Sequence, residues 1–153
     1  MPIQKIDGTN VINTLPTGIH IQKFCRKHAD FFSGHGFMDG GCFVLASALA
    51  QWIGNRVSHQ MQTVVNEKGI PQHVVLQVCG GFYVDADGVG CKTDLINKME
   101  LMENIRGAQI VRFDLETALN YGIPTYSHSD IDRLAKMLGV ELGCFSLDCN
   151  TCE

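Results

Sequence analysis

The feature that most constrains this chain is Gly40-Gly41-Cys42, followed at once by Phe43-Val44-Leu45-Ala46-Ser47-Ala48-Leu49-Ala50. Paired glycines accept backbone angles that other residues avoid, so they mark a break in the structure. The run behind them has no polar face, which predicts a helix buried on all sides from Cys42 to about Ile53. Trp52 is placed to anchor its end in the core, and Gly54-Asn55 supplies the stop. A cysteine in the first turn stands in the positive field of the helix N-terminus, which favours thiolate over thiol. Cys42 is either a nucleophile or a small packing residue, and a second stretch bears on which.

That stretch runs from His73 to Gly88 and reads as a β-hairpin. A β-branched run, a Gly80-Gly81 turn and a second aromatic and β-branched run lead into Asp85-Ala86-Asp87-Gly88. A histidine opens one strand and an aspartate closes its neighbour, at the same end of the hairpin. Cys42, His73 and Asp85 thus appear in the order of a thiol, its base and the group that orients the base. Register decides whether they can meet. A two-residue turn at Gly80-Gly81 pairs Leu76 with Asp85 and sends Asp85 to the face opposite His73. A three-residue loop or bulge shifts the pairing by one. It gathers His73, Val75, Gln77, Tyr83, Asp85 and Asp87 on one face, with Val74, Leu76, Val78, Phe82, Val84 and Ala86 on the other. Because the second division collects the apolar side chains, an odd-length loop within residues 79 to 82 is expected, with Asp85 bonded to His73.

The pattern of Gly40-Gly41-Cys42, His73-Val74-Val75-Leu76 and Tyr83-Val84-Asp85 resembles the papain-like cysteine hydrolases, and most of all their transglutaminase-like and arylamine N-acetyltransferase branch. The resemblance spans roughly residues 36 to 90. It implies an α+β fold in which a buried, cysteine-bearing helix packs on an antiparallel meander. It also implies that Cys42, His73 and Asp85 act as a catalytic triad on an amide, isopeptide or thioester carbonyl. Peptidase or deamidase activity on a protein or peptide is the leading expectation, with acyl transfer sharing the same machinery. His35, in the loop before the cysteine, is the oxyanion-hole candidate beside the backbone N–H of Cys42. Asp39 stands where the acetyltransferases carry an arginine, and the chain has no room for their coenzyme A-binding domains. The resemblance therefore implies a fold and a thiol mechanism rather than a substrate.

The rest of the chain fits a single domain over residues 1–153, its core about 17–113 and a C-terminal helix and cysteine-rich tail over 114–153. A helix from Thr17 places Ile21, Phe24, Cys25, His28, Phe31 and Phe32 on one face. Residues 57 to 65 alternate as a strand, on which His59 is a second candidate base without an acidic partner. Thr93 is the expected cap of a helix carrying Leu95, Ile96, Met99 and Met102, and residues 108 to 113 read as a strand. Asp114 caps a short helix, and Ser127 or Ser129 opens a last one, with Ile131, Leu134, Ala135 and Leu138 inward and Gly139 at its end.

Composition excludes several classes. A formal charge of −4 without a basic run argues against nucleic-acid binding. No apolar stretch is long enough to span a membrane. The first residues, from Met1 to Gly8, lack an apolar signal core, so a cytoplasmic protein is expected. Seven cysteines, an odd number at irregular spacing, argue against a disulfide framework. Asp85-Ala86-Asp87-Gly88 lacks the remaining ligands of a calcium loop. Cys144, Cys149 and Cys152 could give three thiolates to zinc, but a C-x2-C without a matching pair leaves the set open. No cofactor and no metal is expected. Two alternatives to an enzyme follow. One is an inactive papain-like scaffold that binds proteins as an effector or inhibitor, of a kind encoded by a phage or mobile element. The other is a small metalloprotein built on the tail.

Overall fold

A computed structural model describes residues 18–124 and 128–143. Helix α1, Gly18–Lys27, buries Ile21, Phe24 and Cys25. Helix α2, Cys42–Ile53, begins directly after Gly41 and keeps Val44, Leu45, Ala46, Ala48, Leu49 and Ile53 buried. It is less completely enclosed than its composition suggests, since Gln51 is exposed and Trp52 only half-buried. Trp52 donates its indole N–H to the Gly143 carbonyl at 3.3 Å, so a wet edge suits it.

Five strands follow in one antiparallel sheet: β1 His59–Val65, β2 Pro71–Val78, β3 Phe82–Asp85, β4 Gly88–Cys91 and β5 Gln109–Arg112. Their spatial order is β4-β3-β2-β1-β5. Helix α3, Lys92–Met102, lies between β4 and β5 in sequence, and α4, Leu115–Asn120, and α5, His128–Leu142, close the described chain. The fold is α+β, as expected.

The sheet is covered on both faces. Val74, Leu76, Val78, Phe82 and Val84 point into the main core, which they share with α1, α2 and α5. Val64 and Val75 point the other way and pack with Leu95 and Met99 of α3 and with Ala108. The His73 face, which looks polar in the sequence, is therefore a second interior. Val75 is fully buried there.

Several boundaries differ from the sequence expectation, each for a local reason. Strand β4 is Gly-Val-Gly-Cys, too rich in glycine to signal a strand, and it forms by pairing Val84 with Val89 and Asp85 with Gly88. Cys91, not Thr93, caps α3, through a reciprocal bond pattern with Asp94. Met102 is 77% exposed, off the face that carries Met99. Helix α5 runs through Gly139 to Leu142, and Gly143 (φ 73°) stands just past its end. Asp114 does cap α4, accepting the Thr117 N–H at 2.9 Å.

Candidate active site

The hairpin loop sets the site. Val78 pairs with Phe82, so the connection is the three residues Cys79-Gly80-Gly81, with Cys79 and Gly80 at φ 57° and 73°. This is the odd-length loop the apolar pattern called for. Continuing that register puts His73 and Asp85 on one face, and the His73 Nε2 lies 2.9 Å from Asp85 Oδ2. The side chains of both are nearly excluded from solvent, at 4% and 6% exposure.

How Cys42 reaches a residue on the far face of the sheet is answered by two irregularities in β2. The pairing of β2 with β3 covers only Leu76–Val78, which leaves the start of β2 open on that side. The β1–β2 register also shifts between Val64 and Val65, so that Gln72 is the extra residue just before His73. The N-terminus of α2 enters at this open edge, where the Val74 N–H points at Cys42 Sγ at 3.4 Å. Gly41 permits the approach. A Cβ there would fall 2.4 Å from the Phe32 ring and 2.8 Å from the Gly36 carbonyl oxygen.

The electrostatics favour charge separation. Burial by itself pushes the Cys42 thiol up. It is outweighed by the hydrogen bond and charge of His73 and by the backbone N–H groups of Val74 and Phe43, so the thiol lies below its ordinary value. Burial likewise pushes His73 down. The hydrogen bonds to Asp85 and then to Cys42 reverse this and raise the ring to about 9. Asp85 is held below the usual carboxylate range, since His73 and then Lys98 overcome the cost of its burial. With Nε2 committed to Asp85, Nδ1 is the ring nitrogen left to serve the sulfur. Cys25 is the contrast. Buried without such donors and near Asp85 and Asp87, its thiol is pushed up to about 12.

Asp85 has three partners. Oδ2 accepts from His73 and from the Lys98 ammonium at 2.5 Å, and Oδ1 accepts the Asp87 N–H at 2.9 Å. Lys98 also lies 3.3 Å from Asp87 Oδ2. Nothing in the sequence pattern singles out Lys98. It belongs to a different element from Asp85, and only the packing of α3 across the sheet brings it there.

The other candidates lie elsewhere. His35 stacks on Phe32, with ring centroids 4.6 Å apart, and its ring lies against Gly40 in the loop leading to Cys42. His59 is exposed, its Nε2 3.0 Å from the Gly54 carbonyl oxygen. Cys144, Cys149 and Cys152 lie outside the described residues, and among the described residues no group of three or more side chains could hold a metal ion. Cys79 is disulfide-bonded, whereas Cys25, Cys42 and Cys91 are free. The cysteine spacing, read as arguing against a disulfide framework, did not signal a bond at that loop position. Among the described residues no helix is long and apolar enough to cross a membrane.

A narrow cleft of about 110 Å³ opens beside His73, lined also by Met38, Gln72, Met99, Glu103 and Ile105. Comparison with known proteins adds nothing to this geometry: no family model, no curated protein and no solved structure matches the chain.

Proposed function

We propose that the chain is a thiol-dependent hydrolase or acyltransferase with a papain-like, transglutaminase-like core, acting on a carbonyl of a protein or peptide through Cys42, His73 and Asp85. One observation carries the reading: a thiol in the first turn of a buried helix shares a histidine with a buried carboxylate. In this scheme the Cys42 thiolate attacks the carbonyl carbon and an S–C bond forms. The oxyanion is met by the Cys42 backbone N–H, one of the groups at a helix start without an intrahelical acceptor. The C–N or C–S bond then breaks, and the leaving amine or thiol departs with the proton from His73 Nδ1. Water or an amine enters, gives its proton to the same nitrogen, and releases the acyl group as acid or amide. Asp85 holds the imidazole through Nε2 and stabilises its charged form throughout.

A small activated ester tests this without knowledge of the substrate. With 4-nitrophenyl acetate, a thioester should appear on Cys42 in the intact-mass and peptide-mass spectra, labile to hydroxylamine. Cys42→Ser and His73→Gln should each abolish it. Acetylation spread over lysines with Cys42 unmodified would overturn the proposal.

The burial of Cys42 and His73, 7% and 3% exposed, favours a second reading, a papain-like scaffold that binds a protein partner and uses the pair for stability. In that case the wild-type chain would form no acyl adduct, and Cys42→Ala would lower stability while leaving partner binding intact.

A further inference from the structure

The Asp85 carboxylate holds two cations at once. His73 Nε2 and the Lys98 ammonium both bond Oδ2, at 2.9 and 2.5 Å, while the hairpin backbone fixes Oδ1. We propose that Lys98 is a positioning residue of this site, whose ammonium clamps Asp85 and limits how strongly that carboxylate holds the proton on His73. This rests on the catalytic reading above only for its consequence; the clamp itself is a matter of geometry.

Three features make Lys98 more than a surface cation. It reaches in from α3, which Leu95 and Met99 anchor on the second interior, so its stem starts from a fixed wall. Its side chain is 23% exposed, so its field on Asp85 is only partly screened. It also has a competing partner, since Asp87 Oδ2 sits 3.3 Å away and is half-exposed. Asp87 draws the ammonium outward and Asp85 draws it inward. The balance between them sets the positive charge felt by a protonated His73.

The other charged or titratable groups facing the pair are few among the described residues. Cys42 comes from α2, Glu103 from the end of α3 across the His73 cleft, and Asp94 of α3 and Tyr83 of β3 from the recess that Asp85 and Lys98 share. Cys25 of α1 feels the charge of Asp85 but is held as the neutral thiol.

The signs follow from Coulomb's law. Removing the Lys98 cation leaves the whole Asp85 charge to the imidazolium, so His73 should hold its proton to higher pH. Removing the Asp87 anion leaves Lys98 wholly to Asp85, so His73 should lose its proton at lower pH. The test is an NMR titration of the His73 ring in the full chain, with the resonance assigned by its absence in His73→Gln. Lys98→Met should move the His73 midpoint up by about one pH unit, and Asp87→Asn should move it down by about half a unit, as expected for charges a few ångströms away in a partly screened setting. Lys98→Arg, which keeps the charge, should restore most of the wild-type midpoint. A merely structural role would loosen the site and move Lys98→Met and Asp87→Asn in the same direction. Unchanged midpoints in both, or Lys98→Arg behaving like Lys98→Met, would overturn the proposal. The titration needs no turnover. If Cys42 proves unreactive while the two midpoints still move apart, the clamp stands and the catalytic reading alone falls.

Discussion

Asp85 is the residue on which the site turns, because it is buried, fully hydrogen-bonded and the source of the charge that keeps His73 protonated. Asp85→Asn keeps the shape and removes the charge. His73 should then lose its raised affinity for a proton, and Cys42 should lose its nearby cation. The Cys42 thiol should ionise at a pH at least about one unit higher, so its alkylation by iodoacetamide at pH 6 should slow at least about tenfold. The coupling of His73 to Asp85 also has a signature in stability. In Cys42→Ala, His73 answers to Asp85 without the thiol. A histidine raised in the folded state stabilises fully below its unfolded value, near 6.5, and the gain is lost as pH rises through the raised value. Urea midpoints of Cys42→Ala should therefore fall between pH 6 and 9 by the equivalent of about 1 kcal/mol or more. The double variant Cys42→Ala/His73→Gln should lack that fall. At this scale Cys42, His73 and Asp85 were legible because each stands at a local break in pattern. Lys98 was not, being one lysine on a helix with nothing around it to set it apart.

At the scale of elements, the glycine pair before α2 and the loop of the hairpin carry the geometry. Gly40 adopts φ 101°, which glycine accepts and other residues rarely do. Gly41 has no such angle; its constraint is space, with the Phe32 ring and the Gly36 carbonyl both in the way of a Cβ. Backbone cannot yield as a flexible side chain can, so Gly41→Ala should cost about 2 kcal/mol, read as a lowered urea midpoint, and should slow Cys42 alkylation. The hairpin shows how far pattern reading reaches. The division of apolar residues between two faces selected the three-residue loop over the two-residue turn. The same pattern could not show that both faces are buried, because the cover on the His73 side comes from α3, whose apolar residues are spaced as on any amphipathic helix. Nor could it show β4, whose glycines carry no strand propensity and whose pairing is imposed by β3.

At the scale of the molecule, two helical layers sandwich a sheet, and Cys42 and His73 meet at the open edge of its central strand. The second layer is thin, with Met99 as its innermost side chain, 1% exposed against Val64 and Val75. Met99→Ala should cost about 2 to 5 kcal/mol, measured by denaturant unfolding, and should loosen Lys98 with it. Burial of the site between these layers opposes a thiolate–imidazolium pair, and the hydrogen bonds and charges that His73, Cys42 and Asp85 exchange there overcome that cost. The most direct measurement is the pH dependence of iodoacetamide labelling, mapped thiol by thiol in the folded chain. Cys42 should take up one equivalent first, ahead of Cys25 and Cys91, with a rate inflection well below the free-thiol value of about 8.5. Cys42 labelling that rises only above that value, or that lags with Cys25, would contradict the account.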